Sequence, residues 1–222
     1  MNATVTSAER AEAARQLILT AACEVIAEVG LESVRMRMVA ERAGVSTALL
    51  HYHFANRETL FLAALRYSYL VAGSKDYADS PPAGSADPDA WRLAHAIELC
   101  LPVTPELRRD FLLWQELGLR AARDASSAAA AAELYRELAD WIAAIISDGI
   151  AAGSFSAEAR PGAVADLMIS LTQGYGLALL LPEPPYEADQ AREAIWAALA
   201  VPLGLDPARP VVELRARQEG TR

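Results

Sequence analysis

Cysteine, lysine and strand-forming runs are scarce in this chain, and each shortage closes off a class of protein. The two cysteines, Cys23 and Cys100, fall in separate apolar stretches, neither in a CxxC pair nor beside a run of histidines. A disulfide framework or a zinc site is therefore not expected. Lys75 is the only lysine; arginine fills its usual place. No run combines period-two alternation with β-branched residues, so no sheet is expected. A basic region followed by an apolar stretch and a small-residue cleavage site does not open the chain, since Met1–Arg10 is polar and short; this points to the cytoplasm. The nearest approach to a membrane span, "AVADLMISLTQGYGLALLL" from Ala163, is interrupted by Asp166, Thr172 and Gln173. It reads as a helix buried on several sides, in a bundle or a dimer, and no membrane contact is expected.

What the chain does have is helical periodicity over 222 residues that are 53% apolar, enough to bury a substantial core. The spacing predicts a first helix over 8–29, with Ala14, Leu17, Ile18, Ala21 and Val25 on its inner face. A second follows over 34–43, a third over 46–52 and a fourth from Asn56 to about Val71. Gly30 and Gly44 end the first two, and Ser46 and Asn56 are suited to cap the next two. Residues 73–90, "GSKDYADSPPAGSADPDA", hold three prolines and no apolar period, and mark a boundary. Helical stretches over 88–101, 105–123, 127–152, 160–181 and 186–203 follow. The fold class is all-α: a helix-turn-helix head over residues 1–55, a larger helical bundle over 56–205, and a flexible tail over 206–222.

The net charge of −9 conceals an asymmetry. Residues 1–75 carry eight cationic side chains against seven carboxylates, a balance of +1, and the remainder carries −10. Any surface for a polyanion lies in the first third.

Two of only three histidines stand in "AGVSTALLHYHF", Ala43 to Phe54. As metal ligands they are poorly spaced, because His51 and His53, two apart, leave a helix on different faces. No GxSxG elbow and no phosphate-cradling glycine loop accompanies them, so an enzyme is not expected. Two short helices joined at Gly44, the second opening on small or polar residues, suit a major groove instead. Val39, Ala40, Val45, Leu49 and Leu50 are expected to pack inward, leaving Thr47, Ala48, His51 and Tyr52 for the outer face, with the capping Ser46 counted beside them among the candidate DNA contacts. Imidazole and phenol groups can donate to phosphate without much charge. A buried structural histidine is the alternative reading of His53, and Arg35 and Arg42 suit solvated helix-face charges.

The run "GLESVRMRMVAERAGVSTALLHYHFANRETL", Gly30 to Leu60, resembles the helix-turn-helix of the TetR family of bacterial transcriptional regulators. "LWQELGLRAARD" and "QGYGLALLLPEPPYEADQAREAIWAAL" are similar to the C-terminal domains of the branch that includes the choline-responsive repressor. The resemblance implies a homodimer that binds double-stranded DNA at a palindromic operator and is released by a small-molecule effector, with no cofactor. It places Arg37 at a base or phosphate contact, Thr47 where lysine is common, and His51 where a phosphate-binding tyrosine is common. Tyr52 and His53 complete that cluster, and Arg57 matches a basic residue opening the fourth helix. Met36, Met38 and Leu49 depart from the usual polar residues and thin the direct base readout. A helical adaptor that has lost DNA binding is the alternative.

In the body, Trp91, His95 and Glu98 share one helical face, Phe111, Trp114 and Gln115 a second, and Trp141, Ile145 and Ile146 a third. Ordinary core explains Trp141 and Phe111 best. The resemblance implies an effector pocket here, with Trp91, His95, Glu98, Phe111, Trp114, Gln115 and Tyr175 as candidates. Glu98 and Glu116 near tryptophans would suit a cation. Leu167, Leu171, Leu177, Ile195, Trp196 and Leu199 offer apolar surface for a dimer.

Overall fold

In the computed structural model, residues 6–76, 81 and 85–209 are described. Among them every regular element is a helix: α1 (Ser7–Val29), a 3-10 turn (Leu31–Ser33), α2 (Met36–Ala43), α3 (Thr47–His53), α4 (Arg57–Asp76), α5 (Pro88–Leu99), α6 (Pro105–Ala121), α7 (Ala125–Ala151), α8 (Pro161–Leu179) and α9 (Ala188–Leu203). The chain divides into two compact units. One comprises residues 1–74 and 112–132, the other 75–111 and 133–222. The tail expected over 206–222 lies outside the described residues from 210 onward.

In the first unit α1 begins at a capping box, in which the Glu9 amide donates to Thr6 Oγ1 and the Thr6 amide to Glu9 Oε2. Its inner face buries Ile18, Leu19, Ala22, Val25 and Ile26 against α2. Leu17, expected on that face, is 57% exposed instead. It stands one residue before Ile18, and a 100° step per residue carries it past the edge of the stripe. Gly30 at φ 73° closes α1. The turn after it is held from two sides. Arg57 Nη1 donates to the carbonyls of Leu31 and Glu32, at 3.3 and 3.0 Å. Arg120, near the end of α6, pairs with Glu58 and lies 3.8 Å from Glu32 Oε1.

The second unit packs α5 and α8 against α9. Its core holds Trp91, Leu93, Ile97, Ile142, Ile146, Phe155, Met168, Ile195, Trp196 and Leu199. Ile195, Trp196 and Leu199 are thus corrected: at 0–1% exposure they belong to the chain's own core and offer nothing to a second copy. The sequence pattern cannot separate the two uses, because an apolar face toward the bundle and one toward a partner carry the same residues. Trp196 Nε1 also donates to the Asp206 carbonyl, 3.1 Å away, and Arg209 Nη1 reaches Asp87 Oδ2 at 2.6 Å. Helix α8 is two-sided. Val164, Ala165, Met168, Ile169, Thr172 and Gly176 face inward, while Leu167, Ser170, Gly174 and Leu177 are exposed and Leu171 is half-buried. No described helix is long and apolar enough to cross a membrane.

Candidate nucleic-acid interface and body site

The turn between α2 and α3 is built by its glycine. Gly44 takes φ 67°, ψ 27°, a left-handed conformation that side chains rarely adopt, and a Cβ there would meet nothing within 4 Å. Glycine is thus required by backbone angle alone, not by space. The Val45 amide returns to the Ala40 carbonyl at 3.0 Å, closing α2 as a Schellman turn with Val45 as its apolar contact. Ser46 then caps α3, its Oγ accepting from the Leu49 amide at 3.1 Å. This fixes α3 relative to α2 and leaves Thr47, Ala48, His51 and Tyr52 exposed together on the outer face, Tyr52 at 79%. Ser46 is exposed too, but its hydroxyl is occupied as a cap.

Leu50 alone anchors α3 fully, whereas Leu49, expected inside, is 37% exposed. The His53 ring turns inward. Its Nε2 is buried without a hydrogen-bond partner, between Tyr52 edge-on at 5.2 Å and Phe54 at 6.3 Å. Phe54 is itself buried beneath the Arg15 guanidinium, 5.8 Å from the ring centroid. His53 and Phe54 therefore seat the end of α3, and His53 Nε2 is not presented to a ligand. Arg57 Nη1 is likewise engaged by the turn carbonyls described above, while its side chain stays 37% exposed, with Nη2 3.7 Å from Glu32 Oε2.

Helix α2 starts at Arg35 with no side-chain cap. A recess of about 490 Å³ beside that start is lined by Ser33, Arg35, Arg37, Met38 and Glu41. Arg35, expected to be only a solvated charge, stands beside Arg37 at uncapped backbone amides, a setting suited to phosphate. The signal in the sequence is the absence of Ser, Thr, Asp or Asn at the capping position. Arg37 Nε donates to Glu41 Oε1 at 2.7 Å, and that hydrogen bond raises the guanidinium above its ordinary range. Arg42 is taken by Glu28 and Glu24, at 2.7 and 3.1 Å.

In the second unit Trp91 and His95 stack at 4.9 Å, 19° from parallel. Glu98, one turn on, is 12% exposed and stands 3.7 Å from Arg192 of α9, which is as buried and also pairs with Asp189. The carboxylate expected to meet a cationic ligand thus already faces a guanidinium. Phe111 is buried with its ring over Gly176, as core. Tyr175 is half-buried, edge-on to Tyr186 at 5.0 Å, and its carbonyl accepts the Tyr186 hydroxyl. Trp114 and Gln115, both half-buried, belong to the first unit. Desolvation pushes the Cys100 thiol up to about 12, which removes it as a thiolate nucleophile at neutral pH. Among the described residues no group of His, Cys, Asp and Glu is placed to hold a metal.

Residues 18–64 match the family model of bacterial regulatory proteins of the tetR family, and residues 89–203 that of the BetI-type transcriptional repressor C-terminal domain. The chain is 29% identical to a TetR-family transcriptional regulator from Rhodococcus sp. The structural match covers 86% of this chain and 98% of that one, with a TM-score of 0.74. A transcriptional regulator from Saccharomonospora viridis, in complex with choline, is 27% identical over 83% of this chain and 94% of its own, with a TM-score of 0.71. The HTH-type transcriptional regulator RutR of Escherichia coli is 39% identical over 54 residues, 24% of this chain, and the match spans about a quarter (26%) of RutR's length.

Proposed function

The chain belongs to the TetR family of bacterial regulatory proteins, and from that membership we propose that it is a homodimeric cytoplasmic repressor that leaves a palindromic operator when a small molecule binds. The observation that carries the DNA contact is the outer face of α3, where Thr47, Ala48, His51 and Tyr52 stand exposed beside the uncapped start of α2. Short side chains at the head of α3 let its backbone enter the major groove, and His51 and Tyr52 reach the flanking phosphates. Arg35 supplies the main uncompensated charge. In the proposed division of labour, residues 1–55 read DNA and residues 56–205 hold the effector and the dimer contacts. No catalytic role and no cofactor is proposed.

Arg35→Ala is expected to weaken binding to operator and unrelated duplex alike. It should also lower the slope of log K against log salt by about 2 per dimer, one phosphate contact per chain. Fluorescence anisotropy over a range of salt concentrations measures this; an unchanged slope would remove Arg35 from the DNA face.

For the effector, Trp91, His95, Glu98 and Tyr175 of the second unit are the proposed contacts. The choline held by the Saccharomonospora viridis regulator, together with the Trp91–His95 stack and Glu98, supports a cation of that class. Such a cation has to share Glu98 with Arg192 or displace it, and it acts only through tighter binding to the conformation that does not fit the operator. Choline should therefore raise the melting temperature of the wild type by mass action and much less that of Glu98→Gln. Equal shifts in both proteins would withdraw Glu98, and no shift at millimolar choline would withdraw this ligand class.

A further inference from the structure

We propose that Glu41 is a specificity-determining residue of the operator contact. It grips Arg37 by the Nε edge so that the Nη1–Nη2 edge is left for a guanine, and its charge lowers affinity for every other sequence. This rests on the proposed operator binding and names the regulation of that same surface.

The geometry starts from the guanidinium, a planar fork whose five N–H donors form two-pronged edges. Glu41 Oε1, one turn further along α2, accepts from Arg37 Nε at 2.7 Å. With Nε engaged, the pair of donors that remains together is at the tip, and that pair matches O6 and N7 of guanine in the major groove. An unheld arginine in the same place would serve any phosphate equally well. The carboxylate removes both that freedom and the net charge.

Helix stability does not account for this arrangement. The pair runs from arginine to glutamate along the helix, the weaker order for an i,i+4 pair, with the cation in the first turn, where the helix dipole disfavours it. Both side chains are largely exposed, at 81% and 62%, so the ion pair itself contributes little. The neighbouring cations follow the same economy. Arg42 is bound by Glu24 and Glu28, and among the described residues only Arg35, of the three arginines at α2, stands without a carboxylate partner. A head so nearly neutral binds random sequence weakly, and what it gains on an operator has to come from directed contacts such as that of Arg37.

The test uses the full chain and a duplex selected by the wild type from a random library of about 30 base pairs, enough for two half-sites. Dissociation constants are measured on that duplex, on versions with each half-site guanine replaced in turn by 7-deazaguanine, which lacks N7, and on a scrambled duplex. The wild type should lose about tenfold at one guanine position. In Glu41→Ala that penalty should fall below about threefold, and the ratio of operator to scrambled affinity should drop about tenfold, with scrambled binding rising. Glu41→Gln keeps an acceptor without the charge; it should raise scrambled binding as much as Glu41→Ala does, yet retain most of the guanine penalty. If Glu41→Ala strengthens both duplexes by one factor and leaves the penalty intact, Glu41 is an ordinary helix-face charge and the proposal is overturned. A wild type that enriches no sequence overturns operator binding itself, and this inference with it.

Discussion

Leu177→Asp is expected to turn the protein into a folded monomer and to lower operator affinity about 100- to 10,000-fold, the loss of avidity when two linked half-sites become separate binding events. Position 177 is on a helix given no DNA contact. The reason lies in how α8 is divided. Its inner stripe fills the bundle core, whereas Leu167, Leu177 and, just beyond the helix, Leu181 are 39, 55 and 53% exposed. Ser170 and Gly174 lie between them on the exposed side, small enough to admit a close neighbour. On α9, which packs on α8, Val201 is 70% exposed. Large apolar side chains uncovered along one helix are what a second copy related by a two-fold axis would cover. An aspartate in the middle of that face would be buried unpaired in the dimer, but would sit in water in the monomer. Stability of the single chain should then change little. Sedimentation and operator titration on the same sample measure both effects. The contrast with Trp196→Asp is informative: Trp196 is 1% exposed, so that substitution should unfold the second unit rather than separate folded chains from each other. A Leu177→Asp protein that stays dimeric would move the interface off this face.

Gly176→Val is expected to destabilise the fold by about 3 kcal/mol, lowering Tm by roughly 6–12 °C for a chain of this size. A Cβ at this position would lie 2.4 Å from Phe111 Cε2 and 2.5 Å from Cζ, with Pro102 Cδ at 3.2 Å. The ring cannot swing away, since Phe111 is 5% exposed and hemmed in, so the cost falls on the packing of α6 against α8. Gly118, on the exposed side of α6, is the control: a Cβ there meets nothing within 4 Å. Gly118→Ala should therefore gain about 0.5–1 kcal/mol from helix propensity. Thermal unfolding followed by circular dichroism reads both. Equal Tm values for Gly176→Val and the wild type would mean that the α6–α8 contact is looser than these distances.

The elements that local chemistry dictates are legible in the sequence. Gly44 and Ser46 announce the turn between α2 and α3, and Asn56 announces the start of α4, where its Oδ1 accepts from the Thr59 amide at 2.9 Å. What cannot be read is the direction of side chains whose type suits two environments. Leu17 and Leu49 are leucines on helices, expected inward, yet both stand exposed, because each sits at the margin of a stripe where a small rotation decides. Ile195, Trp196 and Leu199 fail as dimer residues for the opposite reason: the core claims them first. Long-range pairing is equally hidden. Arg192 is far along the chain from Glu98, and no local pattern announces that a guanidinium will fill the place where a ligand's cation is expected. The family resemblance marks Arg57 as a DNA contact, and no local pattern announces that its Nη1 also meets carbonyls about 25 residues earlier.

The most direct measurement is the stoichiometry and footprint of the wild-type chain on a duplex selected from random sequence. Two chains should bind one palindrome, protecting half-sites whose centres are about one helical turn, roughly 34 Å, apart or a multiple of it. A single chain per duplex, protection without two-fold symmetry, or no selected sequence at all would contradict the account and leave a helical protein that does not read DNA.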